Sequence, residues 1–123
     1  MPNMDISLKE MLSIDGALGA AVVDYGSGMA LGTLGGSKQL DLQIAAAANT
    51  EVVKAKLRAI EALQLKEGIE DILITLSTQY HLIRPITGRS GNGLFLYLAL
   101  DRGRANLAMA RHQLRGIEER LEV

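Results

Sequence analysis

Two histidines, His81 and His112, are the natural starting point for chemistry in a chain of 123 residues that has no cysteine. Without cysteine or a helical histidine pair, a metal would have to recruit scattered carboxylates. Each histidine is therefore read as a partly exposed structural residue. Ser77 and Ser90, the two histidines, and Asp24 and Asp71 could supply a nucleophile, a base and an orienting acid. Nothing local pairs them, and a triad is recognised by geometry; an enzyme built from Ser90, His81 and an acid stays open only as an alternative. The segment Gly32-Thr33-Leu34-Gly35-Gly36-Ser37-Lys38 has the flavour of a phosphate loop. That motif needs glycine-lysine-serine/threonine opening a helix directly after a parallel strand. Here the order is glycine-serine-lysine after a hairpin strand, which reads as a turn and helix lead-in. Gly26-Ser27-Gly28 is too short for a nucleophile elbow. Glu70 and Asp71 open a strand, where neighbours point to opposite faces, so they form a solvated edge or capping pair. Arg84, Arg89, Arg102 and Arg104 could cluster where loops meet at one end of the sheet, as a solvated rim or as a contact for an acidic partner. No catalytic residue, metal or cofactor is expected, and the chain is not expected to be an enzyme.

Bulk properties narrow the classes further. The length is near the commonest size for one domain, so a single domain over 1–123 is expected. A hydrophobic fraction of 48% with 22% charged residues is that of an ordinary globular protein, which argues against disorder. Thirteen basic residues against 14 acidic give a net charge of −1, with no electrostatic footprint for nucleic acid or an anionic membrane. Tyr25, Tyr80, Phe95 and Tyr97 are the only aromatics, too few for base-stacking platforms. The start lacks a signal-peptide pattern, and no apolar run approaches the ~18 residues that span a bilayer. A cytoplasmic location is expected.

The elements that must position these residues can be read in order. Asp5 or Ser7 caps a short first helix with Ile6, Met11, Leu12 and Ile14 as its apolar residues, stopped at Asp15-Gly16. Residues 17–23 read as a strand apolar on both faces, which needs a sheet covered on both sides. A turn at 24–28 returns the chain as a second strand over 29–34. A long helix over 41–67 follows, closed by Gly68. Three further strands occupy 69–76, with Ile72, Ile74 and Leu76 on one face, then 80–84 and 94–100. The loop at 88–93 has strong turn chemistry. A last helix carries Leu107, Ala110, Leu114, Ile117 and Leu121 in one stripe. Tight turns between most strands predict an α+β fold in the order α-β-β-α-β-β-β-α, with a largely antiparallel sheet and helices on both faces.

The long helix carries two apolar stripes where a helix that only covers its own domain needs one. Ala45, Ala48, Val52, Ala55, Ala59 and Ala62 repeat with the heptad rhythm of a helix-helix seam. Leu42, Ala46, Val53, Leu57 and Ile60 form a bulkier stripe suited to the sheet. Gln43, Thr50, Lys54, Arg58 and Glu61 part the two on one flank, and Asn49 and Lys56 on the other. Alanine is also the best helix former, so the small residues could simply pack on the domain's own sheet. The second stripe already supplies that face, which leaves the alanine seam for a partner.

Several strings resemble the roadblock (dynein light-chain) domain family, particularly its small bacterial, GTPase-associated members. They are Leu18-Gly19-Ala20-Ala21-Val22-Val23-Asp24 followed by Gly28, the alanine-rich helix, Tyr80-His81-Leu82-Ile83-Arg84-Pro85, and Leu96-Tyr97-Leu98-Ala99-Leu100-Asp101-Arg102 leading into Ala105-Asn106-Leu107-Ala108-Met109-Ala110-Arg111. The last is the most specific. The resemblance implies a five-stranded antiparallel sheet with the long helix on one face and the two terminal helices on the other. It also implies a homodimer in which the long helices lie side by side and the sheets join at the third strand. Ile69, Ile72 and Ile74 thereby join the alanine seam as expected interface residues. Family members are regulatory scaffolds that bind, localise or regulate Ras-like small GTPases, some as GTPase-activating partners and some beside a sensor-kinase-like protein. No catalytic or GTPase-contacting residue can be carried over. The alternative is a small-ligand sensor domain, with the alanine stripe lining a cavity between sheet and helix.

Overall fold

The run that is apolar on both faces becomes β1 (Ala17–Asp24) at the second position of the sheet. A computed structural model describes residues 3–87 and 93–121. In chain order it adds α1 (Met4–Leu12) before β1, then β2 (Met29–Gly35), α2 (Leu42–Ala62), β3 (Ile72–Thr75), β4 (Gln79–Pro85), β5 (Leu94–Asp101) and α3 (Leu107–Arg120). The five strands lie in the order β2-β1-β5-β4-β3, and every neighbouring pair is antiparallel. The loop expected at 88–93 falls almost wholly outside the described residues.

Alternation on the inner strands produces two cores. Ala20 and Val22 of β1, with Leu96, Leu98 and Leu100 of β5, pack under α1 and α3 against Leu8, Met11, Leu114 and Ile117. Ala21 and Val23, with Phe95, Tyr97 and Ala99, face the other way toward Leu42, Ala46 and Val53 of α2. The expected layering is thus present, with the long helix alone on one face. Burying one such leucine or valine side chain contributes roughly 2 kcal/mol, so the central strands β1 and β5 anchor the domain.

Several boundaries differ from the expectation. The cap of α1 is Asn3, whose Oδ1 accepts from the Ile6 amide at 3.0 Å. Asp5 and Ser7 lie inside the helix, Ser7 is buried, and Ile6 is exposed while Leu8 takes its place in the core. The long helix stops at Ala62, capped by Leu63. Gln64 then adopts φ +57°, the left-handed geometry that closes a helix. Gly68 lies beyond, in an irregular segment, and the third strand shrinks to Ile72–Thr75. Charged residues and Gly68 between 66 and 71 have no neighbouring strand partner to stabilise an extended ladder. Leu76 is left exposed, while Ile72 and Ile74 pack toward the α2 core.

Candidate interaction surface

Helix α2 starts at Asp41, whose carboxylate accepts from the amides of Gln43 at 2.9 Å and Ile44 at 3.2 Å. That occupies the anion-binding end of the helix with the chain's own acid, and Lys38 lies in the turn before it. The phosphate-loop reading therefore has no place here. Leu42, Ala46, Thr50 and Val53 are the buried residues of the helix. Thr50, expected on the dividing flank, belongs to the sheet-facing line because its hydroxyl donates to the Ala46 carbonyl at 2.7 Å. Past Val53 the helix overhangs the end of β1. Leu57, expected on the sheet, is 37% exposed, and Ile60 is half-buried.

Most of the alanine seam points away from the α2 core, but Ala45 packs against it. Ala48, Val52, Ala55 and Ala62 are exposed, while Ala45 and Ala59 are half-buried. On the β3 side of the helix lies an open groove of about 1100 Å³, lined by Val52, Ala55, Ala59, Ile60, Ile69 and Ile72 among others. Lys56, Glu67, Glu70 and Asp71 edge it. The groove thus joins part of the seam to the segment entering β3. Ala45, Ala48, Ala62 and Ile74 lie outside it. Strand β3 pairs only with β4 and forms one edge of the sheet, so its other side carries unpaired backbone groups. Leu63 (65% exposed), Leu65 (47%) and Leu73 (37%) add apolar surface around these elements that periodicity did not single out. Leu63 and Leu65 lie past the end of α2, where no repeat operates, and Leu73 lies on the β3 face opposite Ile72 and Ile74.

Polar side chains tie the neighbourhood of β3 together. Asp71 accepts two bonds from Arg111 of α3, at 2.8 and 3.0 Å. This hydrogen bonding, and then the charge of Asp71, raises the Arg111 guanidinium pKa further above its ordinary range. Arg102 donates to the Leu76 carbonyl at 2.6 Å and stacks over the Tyr80 ring. Arg84 is buried and donates to Glu118 of α3 at 2.9 Å, and Arg104 bonds Asp101. Arg84 lies toward the end of β4, whereas the Arg102 amide bonds Thr78, just before β4 begins. Arg84, Arg102 and Arg104 therefore do not come together in one cluster, and Arg89 lies outside the described residues.

His81 sits on the α2 face of β4. Its Nε2 lies 2.7 Å from Gln79 Oε1 and its Nδ1 lies 3.1 Å from the Tyr97 hydroxyl. Gln79 Oε1 can only accept, so Nε2 carries the proton and Nδ1 accepts from Tyr97. Burial lowers the His81 pKa and pushes that of Tyr97 up to about 12. Both ring nitrogens are thus engaged without serine or carboxylate, and Ser90 lies outside the described residues. His112 is exposed on α3. Among the described residues no cluster of three or more His, Asp or Glu side chains is placed to hold a metal. No described helix is long and apolar enough to cross a membrane.

The resembling strings acquire physical meaning in this frame. Asp24 accepts from Gly26 N and Ser27 Oγ to form the β1–β2 turn, and Gly28 follows at φ +77°. Asp101 nucleates the turn after β5 by accepting from the Gly103 amide, and Asn106 caps α3 through the Met109 amide. A Roadblock/LC7 domain from Streptomyces avermitilis superposes with a TM-score of 0.79 at 11% identity, covering 96% of this chain and 93% of that one. The chain adopts the Roadblock/LC7 fold. MglB from Myxococcus xanthus has the same fold, with a TM-score of 0.73 at 13% identity over 92% of this chain and 77% of MglB. The gliding protein MglB from Thermus thermophilus gives 0.68 at 20% identity, over 92% of this chain and 86% of that protein. No family model and no curated protein sequence matches the chain.

Proposed function

We propose that this chain is a non-catalytic roadblock module that forms a homodimer and binds a Ras-like small GTPase, modulating its nucleotide state or its location in the cytoplasm. One observation carries the reading: in a Roadblock/LC7 fold, Val52, Ala55 and Ala59 of the α2 seam and the segment entering the edge strand β3 line one open apolar groove. In the homodimer, Ala45, Ala48, Val52, Ala55, Ala59 and Ala62 meet a second copy of the helix. Ile69, Ile72 and Ile74 accompany β3 as it pairs with its symmetry mate, an isologous contact that removes the exposed edge. The GTPase then binds a surface that the dimer builds. Acceleration of hydrolysis, where it occurs, proceeds by ordering the GTPase's own switch residues. The buried Arg84 is held by Glu118 and is not free to act as a supplied arginine finger. A sensor-kinase-like protein is a further partner of such a module.

The test is single-turnover nucleotide hydrolysis and exchange by a Ras-like GTPase encoded beside this chain, with and without it, together with a pull-down on both nucleotide forms. A change in either rate, or selective retention of one form, is expected. Absence of binding to both forms sinks the proposal. The apolar lining of the groove favours a second reading, a small-ligand sensor. Its signature is a ligand that protects Val52, Ala55 and Ile72 in a protein that stays monomeric.

A further inference from the structure

Apart from the half-buried Ile72 and Ile74, which rest on the α2 core, strand β3 has little of its own to hold it. It is four residues long, none of them fully buried, and it pairs on one side only. An irregular segment leads into it from α2. Short edge ladders of this kind open locally at low cost. Both ends are nevertheless tied to elements distant in sequence. Just before the strand, Asp71 takes the paired bonds of Arg111 from α3. Just after it, the Leu76 carbonyl accepts from Arg102, whose guanidinium rests on Tyr80 of β4. The two ties are unlike chemically: one is a bidentate ion pair, with a planar fork that lysine cannot reproduce, and the other is a guanidinium donating to a main-chain carbonyl.

We infer that Arg111 and Arg102 are positioning residues that latch the two ends of β3, presenting its free edge in a fixed register for strand pairing with a second copy of this chain. The inference rests on the homodimer reading above. Without the latches the strand end frays, and pairing must first order it. That ordering cost is added to the cost of association. Arg111 is about half exposed, so added salt screens its latch, while the Leu76 latch is less affected.

Amide exchange and sedimentation together provide the test, on wild type, Arg111→Ala, Arg111→Lys, Arg102→Ala and the swapped pair Asp71→Arg/Arg111→Asp. Exchange is followed at Ile72 to Thr75 at concentrations where the protein is dilute enough to be monomeric. Arg111→Ala and Arg102→Ala are expected to speed exchange there at least tenfold, leave β1 and β5 protected, and weaken self-association at least tenfold. Arg111→Lys recovers little, and the swapped pair recovers most of both effects. Unchanged exchange in the two alanine variants overturns the latch. Faster exchange with unaltered self-association overturns its positioning role. A wild type that stays monomeric at high concentration overturns the homodimer reading itself, and the positioning role falls with it.

Discussion

His81 lies between two hydrogen-bond partners of opposite demand, with Tyr97 donating to one ring nitrogen and Gln79 accepting from the other. The arrangement satisfies the neutral ring, and burial lowers the folded-state pKa below the ordinary 6.5. As pH falls through that window the unfolded chain takes up the proton first. The His81 contribution is therefore complete above pH 6.5 and is lost between that value and the lower folded pKa. Urea midpoints between about pH 7.5 and 5.5 should fall more steeply for wild type than for His81→Gln. Arg84 and Glu118 are a second residue-scale commitment, both buried and 2.9 Å apart. Arg84→Ala strands a buried carboxylate and should cost about 3 kcal/mol or more. The double change Arg84→Met/Glu118→Leu should recover most of that in equilibrium denaturation. Neither pairing was legible in the chain. His81 and Tyr97 are 16 positions apart and Arg84 and Glu118 are 34, and no local pattern links side chains across strands or between strand and helix.

Elements were far more legible than their ends. An unbroken apolar run marked β1 as apolar on both faces because both faces of the sheet are covered, β5 carries a run of the same kind, and the single stripe of α3 names the residues it buries. Ends followed local hydrogen bonding that composition only suggests. Asn3 outcompeted Asp5 and Ser7 as a cap, and a left-handed Gln64 closed α2 before Gly68 was reached. Asp41 was the expected helix start, and its two amide bonds give it a checkable value. Asp41→Ala should destabilise the fold by about 1 kcal/mol in urea titration. It should leave the buried packing of Val53 and Phe95 intact, because the loss is confined to the first turn.

At the scale of the molecule, the uncovered face of α2 decides what the domain can do. Ala55 is exposed in the protomer, so a glutamate there meets only water unless another chain covers it. Ala55→Glu should leave the far-ultraviolet spectrum and the thermal midpoint of an isolated protomer nearly unchanged while abolishing self-association in sedimentation. Ala59→Glu, at a half-buried site, should do the same with a loss of solubility. An intact dimer in both variants counts against the seam.

Sequence alone determined the order of elements, the two-sided burial of β1 and β5, the surplus apolar stripe of α2 and a resemblance to roadblock domains. These are properties of periodicity and short strings, and a chain carries them locally. Tertiary structure alone decided that most of the alanine stripe faces outward while Ala45 packs on the core, that β3 is only four residues long and tied by Arg111 and Arg102, and that Arg84 and Arg104 pair with carboxylates instead of clustering. Those outcomes depend on which strand lies at the edge and how far a helix overhangs the sheet. Both are set by the packing of distant segments, which the spacing of residues along the chain does not encode. The helix with two apolar faces is where the two kinds of information meet: the pattern named a surplus face, and the sheet chose which face it covered.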